Sequence, residues 1–427
     1  MNPHANPNST AADPTEPLGL TSGAFVDRYA RARFWEISRQ GAEQGRGAGG
    51  RRGALEAYKS LFRTGDTSPI VRVEPGFAVP GIKTVLKEPC EEGELTKFTQ
   101  GVAGAGTEAG TPTGRVFEEL STESVLIPMV GKTGRPTFTL CVSSQIGCAM
   151  GCTFCETAQM GLIRSLTPGE IVAQWFAATH LLGKKPSNIV FMGMGEPMDN
   201  LDSVLAAVSV LKDHNGVSLP ISKITISTVG RVDGIARLGE KLHEPGWHRL
   251  NLALSLNAPS DAVRSQIMPV NRKWNMATLR ESLLAFPIYG GGKLCVEYVL
   301  IPDVNDSREH ANEVADFLEP INEHYRRAKG AGGTSVVGEE QRQGSPRVML
   351  NLIPYNPRRN SPWPAPSEES VEAFMAWLME RGVFVKRRRT KGRDLMGACG
   401  QLGSQEIRGR KLVQVGVSPP PHRTPAG

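Results

Sequence analysis

Cys141-Val-Ser-Ser-Gln-Ile-Gly-Cys148-Ala-Met-Gly-Cys152-Thr-Phe-Cys155 is the stretch on which the reading of this chain turns. Its last three cysteines have the spacing C-x3-C-x2-C, and the stretch begins where a β-rich run, Phe138 to Val142, ends. Glycines at 147 and 151 let the backbone wrap closely around whatever the thiols hold. A structural zinc site needs four protein ligands, and no fourth Cys or His lies at finger-like spacing nearby. Three thiolates suit a four-iron cluster instead, with one iron left open to bind a small molecule. The alternative is three cysteines packed as small hydrophobes, which three thiols within eight residues of a Gly-rich loop argue against.

Outward from this loop, short β-rich runs alternate six times with amphipathic helical stretches, the pattern of βα units on a parallel sheet. The expected strands are Phe138 to Val142, Asn188 to Met192, Lys223 to Ser227, Asn251 to Ser255, Leu294 to Leu300 and Val348 to Ile353. Thr167-Pro168-Gly169-Glu170 reads as a helix start, with an N-cap Thr, Pro at the first helical position and a capping-box Glu. Asn200, Ser307 and Ser367 are weaker caps of the same kind. This α/β series suits either an open doubly wound sheet or an incomplete βα barrel.

Before Val116 the pattern is less regular. Residues 1–22 have a composition expected to be disordered, helices are expected at Ser22 to Ser38 and Ala54 to Phe62, and Glu88 to Gly114 reads as loop. The expected divisions are 1–22, an accessory region 23–115, a core 116–402 and a basic tail 403–427.

The whole-chain numbers set bounds. The 427 residues, 39% of them hydrophobic, can bury a sizeable core. Seven cysteines, an odd number in a long chain, point to ligands or reactive thiols rather than a framework of bridges. No apolar stretch approaches the roughly 18 residues of a membrane span. Asp13 and Glu16 near the start argue against a targeting segment, so a cytoplasmic, non-membrane protein is expected. The net charge of +6 is concentrated: Arg381 to Lys411 holds ten basic residues against two acidic ones, leaving the remainder at about −2. A local basic excess of this kind suits contact with a polyanion such as nucleic acid.

The cysteine spacing resembles that of radical SAM enzymes, which use S-adenosylmethionine (SAM). The surrounding sequence is similar to a narrower group, the RlmN/Cfr class of RNA adenine methyltransferases. The matching pieces are Cys141-Val-Ser-Ser-Gln, Gly193-Met194-Gly195-Glu196-Pro197, Thr225-Ile226-Ser227-Thr228, Leu252-Ala253-Leu254-Ser255-Leu256, Leu352-Ile353-Pro354-Tyr355-Asn356-Pro357 and Gly397-Ala398-Cys399-Gly400-Gln401-Leu402. They run in the family's order from Glu123 to Leu402.

The resemblance implies an incomplete (β/α)6 radical SAM barrel carrying a poorly matched N-terminal helical extension. It implies a [4Fe-4S] cluster on Cys148, Cys152 and Cys155, with SAM held by Gly195, Glu196, Ser227, Ser255, Leu256, Asn257 and Asn356. Cys399 would carry the methyl group, Cys141 would resolve the adduct through a transient disulfide, and Glu123 would accept a proton. Two SAM would be used per turnover. The expected reaction is methylation of carbon 2 of adenine in 23S rRNA and tRNA. The carbon-8 variant of the Cfr type shares every cysteine named, and a non-catalytic RNA-binding relative is a third reading. Expected partners are RNA and an electron donor such as flavodoxin or ferredoxin, with the chain acting as a monomer. Lys386 to Arg389 and Arg408 to Lys411 would hold RNA phosphates beside Cys399.

Three features depart from the family: residues 1–110 match it poorly, Asn257 stands where the family has His, and a Gly-rich insertion spans Lys329 to Ser345.

Overall fold

The computed structural model describes residues 13–30, 50–102, 120–131, 134–289, 293–330, 348–388, 391–392 and 395–403. The six expected parallel strands are all present: β4 (Pro136–Cys141), β7 (Asn188–Phe191), β8 (Ile224–Thr228), β9 (Asn251–Ser255), β10 (Leu294–Leu300) and β11 (Val348–Pro354). They pair in that order, each parallel to the next, so the open barrel is realised rather than a doubly wound sheet with strand order reversed about its middle.

Their side chains alternate with a purpose. Ile224, Ile226, Leu252, Leu254, Val296, Tyr298, Leu350 and Leu352 are fully buried toward the helices. Their neighbours Thr225, Asn251, Cys295, Glu297 and Asn351 face the lumen. Period two therefore separates an apolar outer face from a polar lumen face.

The covering helices include α4 (Pro168–Phe176), α5 (Leu201–Leu211), α6 (Val232–Leu242), α7 (Asp261–Ile267), α8 (Met276–Ala285), α9 (Arg308–Gly330) and α10 (Glu368–Glu380). The expected capping box starts α4: Thr167 Oγ1 accepts from Glu170 N at 3.2 Å, and Glu170 Oε2 accepts from Thr167 N at 3.0 Å. Ser307 and Ser367 also cap, accepting from His310 N and Ser370 N. Asn200 does not: its carboxamide donates to Ser144 O and Leu166 O, so it braces the cluster loop instead.

Three antiparallel strands precede β4 and extend the same sheet: β1 (Ile82–Cys90), β2 (Gly93–Val102) and β3 (Leu120–Val130). This corrects two expectations. Glu88 to Val102 is the end of β1, a turn at 91–92 and β2 rather than loop, because Leu95 and Phe98 bury against the core; residues 103–119 lie outside the described ones. The N-terminal extension is also only partly helical. Its helices α1 (Ser22–Tyr29), α2 (Gly50–Thr64) and α3 (Ser68–Val73) lie outside the barrel. There Phe62 meets Trp175 of α4 with ring centroids 6.2 Å apart, and Ser22 N donates to Asp213. A short strand β12 (Val385–Arg387) adds a parallel partner to β11; its three residues fall within the basic run and gave no strand signal. The Lys329 to Ser345 insertion and the 404–427 tail lie essentially outside the described residues.

Candidate active site

The loop after β4 is shaped by a two-stranded hairpin of its own, β5 (Gln145–Gly147) with β6 (Leu162–Ser165). Gly147 sits at φ +75°, and a β-carbon there would lie 1.8 Å from Gly161 O, so only glycine can occupy it. Cys148 N donates to Gly161 O, Thr153 N to Ile267 O and Arg358 Nε to Thr153 O, which fixes the loop over the C-terminal ends of the strands. Burial pushes the thiols of Cys148, Cys152 and Cys155 above the ordinary cysteine range.

These three thiols line a cavity of about 150 Å³ together with Gly195, Glu196, Ser227, Ser255, Asn257, Asn356 and Cys399. Of the expected SAM-contacting residues only Leu256 is missing from its wall; that side chain is fully buried in the core. Gly195 adopts φ +98°, and a β-carbon there would lie 2.5 Å from Gln145 Cβ. The fully buried Glu196 ties two strand ends together, accepting from Met198 N at 3.1 Å and Val229 N at 2.9 Å. Burial raises its pKa. Asn257, where the family has His, takes φ +55°, a conformation Asn tolerates better than most residues. Its Oδ1 accepts from Val299 N at 3.0 Å, so it braces β10 as well as lining the cavity.

A second cavity, of about 960 Å³, occupies the barrel lumen. Cys141 and Cys399 both line it, and Cys399, Asn356, Glu297 and Arg388 line the two cavities in common. Cys399 thus stands at the junction between the space beside the ligand cysteines and the lumen. Burial, reinforced by the charge of Cys399, pushes the Cys141 thiol up to about 12. Alkylation of Cys141 by iodoacetamide, followed by peptide mass spectrometry, is therefore expected to be slow at neutral pH and to climb through the alkaline range as the thiolate forms. A plateau near pH ~8.5, the ordinary cysteine range, would contradict this environment.

The segment carrying Cys399 is held on three sides. Glu156 N donates to Gly400 O at 2.7 Å and Thr157 Oγ1 to Leu402 O, tying it to the cluster loop. Gln401 Nε2 donates to Pro357 O at 3.1 Å. From the antiparallel extension, Lys97 Nζ donates to Met396 O at 2.9 Å, and Glu123 Oε2 accepts from Gly403 N at 3.1 Å. Lys97 and Glu123 pair at 2.9 Å, both almost fully buried. Glu123 is therefore an interior residue, and it lies on the wall of neither cavity.

Lys97→Met would leave the Glu123 charge buried without its counter-charge, and a loss of about 3–5 kcal/mol is expected in denaturant unfolding. Replacing both residues by Met should recover most of that loss. A single-variant cost under about 1 kcal/mol would contradict a buried, coupled pair.

The basic run is directed differently from the sequence expectation. Arg388 turns inward, where the charge of Cys399, then those of Glu297, Cys141 and Cys295, raise its pKa. Arg387 pairs with the exposed Glu368 at 2.8 Å and Lys391 with Glu92 at 2.8 Å, so carboxylates of the chain itself take up charge that the sequence assigned to RNA. Arg389 and Arg408 to Lys411 lie outside the described residues. Lys386 of that run stays exposed on the lumen wall, and further exposed cations lie at the N-terminal ends of three strands: Lys223, Arg249 and Lys293, on the rim of the lumen. Scattered singly along the sequence, they gave no cluster to notice. Arg264 was missed as well. Fully buried, it donates to Leu256 O at 3.2 Å and to Val229 O at 2.5 Å, locking the loops after β8 and β9.

The donor chemistry fits a [4Fe-4S] cluster with SAM. Among the described residues no three His, Cys, Asp or Glu side chains converge as they would on one ion; a four-iron cluster takes each thiolate on a different iron. The three thiols would hold the cluster, and the glycine-cleared, polar wall formed by Gly195, Ser227, Ser255, Asn257 and Asn356 would receive SAM.

Known proteins agree. Residues 142–318 match the Radical SAM superfamily model. The chain is 40% identical over 297 residues to the probable dual-specificity RNA methyltransferase RlmN 1 of Protochlamydia amoebophila, covering 70% of this chain and 74% of that protein. It is 36% identical over 312 residues to the dual-specificity RNA methyltransferase RlmN of Nitratidesulfovibrio vulgaris, covering 72% and 77%. The crystal structure of a radical SAM methyltransferase from Sphaerobacter thermophilus superposes with a TM-score of 0.66 at 29% identity, covering 90% of this chain and 98% of that one. Sequence order, barrel and thiol placement converge on one conclusion: this chain belongs to the RlmN family of radical SAM RNA methyltransferases.

Proposed function

We propose that the protein methylates carbon 2 of an adenine in 23S rRNA and in tRNA, using Cys399 as a methyl carrier. The observation that carries this reading is the position of Cys399, which lines both the cavity of the three ligand cysteines and the lumen. The dual specificity printed in the names of its relatives supports two RNA substrates.

Adenine carbon 2 is electron-poor and no nucleophile, so polar methyl transfer cannot reach it. When bound, the cluster and SAM supply both a transferable methyl group and, by reductive cleavage, a radical that abstracts a hydrogen atom. Two SAM per turnover follow from those two roles, as does an electron donor of the flavodoxin or ferredoxin type.

The residues of the chain do the rest. Cys399 takes the methyl group on sulfur, loses one of its hydrogen atoms to that radical, and presents the resulting carbon radical to the lumen, where it adds to carbon 2 of the base. Cys141, on the same lumen wall, attacks the Cys399 sulfur; an S–S bond forms and the C–S bond breaks, its electron pair going to the carbon left on the base, which takes up a proton. The radical adduct would give up its surplus electron, for which the oxidised cofactor is the acceptor, and its carbon-2 proton to a base, the role proposed for Glu123. The Lys97 pair and the Gly403 contact support a holding role for Glu123 more directly. Proton acceptance would require its carboxylate to reach the lumen.

RNA phosphates would rest on Lys223, Arg249 and Lys293, leaving the target adenine, unstacked or extruded, to enter the lumen from the rim. The protein would act as a monomer in the cytoplasm. Among the described residues no helix is long and apolar enough to cross a membrane.

The test is methyl transfer from deuteromethyl-SAM to RNA by anaerobically reconstituted protein. Label in the RNA, passing through the Cys399 peptide, is expected; RNA without label would contradict the proposal.

A further inference from the structure

Glu297, on β10, is only 4% exposed and lines both cavities, as Cys399 does. Its two carboxylate oxygens have different surroundings. Oε1 accepts from Asn351 Nδ2 at 3.0 Å and from Cys295 Sγ at 3.4 Å. Oε2 is buried with no hydrogen-bond partner; it forms a long ion pair with Arg388 Nη1 at 3.8 Å, beyond hydrogen-bond reach. A buried acceptor without a donor is costly, and folded proteins rarely keep one without a use for it. Asn351 fixes the carboxylate from the neighbouring strand, since its amide also donates to Cys295 Sγ at 3.0 Å.

We propose that Glu297 is the base-reading residue, its free oxygen accepting a hydrogen bond from the exocyclic amino group of the target adenine, with Asn351 as its positioning residue. The proposal rests on the adenine-methylating reading above. A carboxylate oxygen can only accept. Adenine offers it an N–H donor, whereas guanine and hypoxanthine carry a carbonyl oxygen at the same ring position and are repelled. Recognition of this kind discriminates strongly because a wrong base leaves a buried polar group unpaired. Phosphate contacts at the rim carry no such information.

The experiment compares two RNA hairpins, identical except that the target is adenosine in one and purine riboside, which lacks the amino group, in the other. The reconstituted full-length protein is expected to lose roughly 10- to 100-fold in kcat/KM on the purine riboside hairpin. Glu297→Gln, whose carbonyl Asn351 would hold on its own side so that an NH2 replaces the free oxygen, should lose a comparable factor on adenosine and prefer adenosine by about onefold to threefold only. The change in preference between the two proteins cancels any intrinsic difference in reactivity between the bases. A wild-type preference retained by Glu297→Gln would overturn the proposal. So would weakened SAM binding by the variant with that preference intact, which would place Glu297 on the cofactor instead. If the wild type methylates neither hairpin nor natural rRNA, the adenine reading itself falls and this inference with it. Should the variant not fold, a wild-type protein that treats the two hairpins equally overturns it alone.

Discussion

Cys399→Ala protein, reconstituted with iron and sulfide, is expected to transfer no methyl group to RNA, a loss of roughly 10⁴-fold or more. Its iron content should stay that of the wild type, because the proposed ligand set, Cys148, Cys152 and Cys155, does not include Cys399. The size of the effect follows from placement. Among the described residues Cys399 is the one thiol that lines both the cavity of the ligand cysteines and the lumen, so no neighbour can take over the carrier role. Cys141 borders the lumen alone, and its buried thiol stays protonated at neutral pH. Measurable methylation by Cys399→Ala would remove the carrier from the mechanism.

The second large effect is expected from Cys141→Ala. This variant retains the carrier and the ligands, so the methylene bond between Cys399 and the base should form and then persist. The expected result is a covalent RNA–protein species, stable on a denaturing gel and mapped by mass spectrometry to the Cys399 peptide, with multiple turnover abolished. Both sulfurs face one lumen and sense each other's charge, which is the juxtaposition a resolving thiol requires. Normal turnover without an adduct would contradict the resolving role.

Much of this was legible in the sequence, and the reasons are particular. The parallel strands were readable because residues such as Ile224, Ile226, Leu252 and Leu254 mark a buried face at period two between capped helices. The cluster loop was readable because cysteine spacing is local. The hairpin of β1 and β2 was not. Its pattern of Thr, Lys and Gly is weak, and its stability comes from β3 and from contacts with a segment some 300 residues away, as when Lys97 holds Met396. Charge misled for a similar reason. The run from Lys386 to Arg389 looked like a phosphate site, but Arg387 pairs with Glu368 and Arg388 turns toward Cys399 and Glu297, which leaves Lys386 as the exposed cation of the described part of that run. The exposed cations Lys223, Arg249 and Lys293 sit on three separate strand ends that only the barrel brings to one rim. Glu297 and Arg264 carried no motif at all; burial and an unfilled or fully used hydrogen-bonding capacity mark them out.

The most direct measurement is nucleoside mass spectrometry of 23S rRNA and tRNA after incubation with the anaerobically reconstituted protein, SAM and a reductant. The predicted product is 2-methyladenosine, absent when Cys399 is replaced by Ala; 8-methyladenosine, or no methylated adenosine at all, would contradict the assignment.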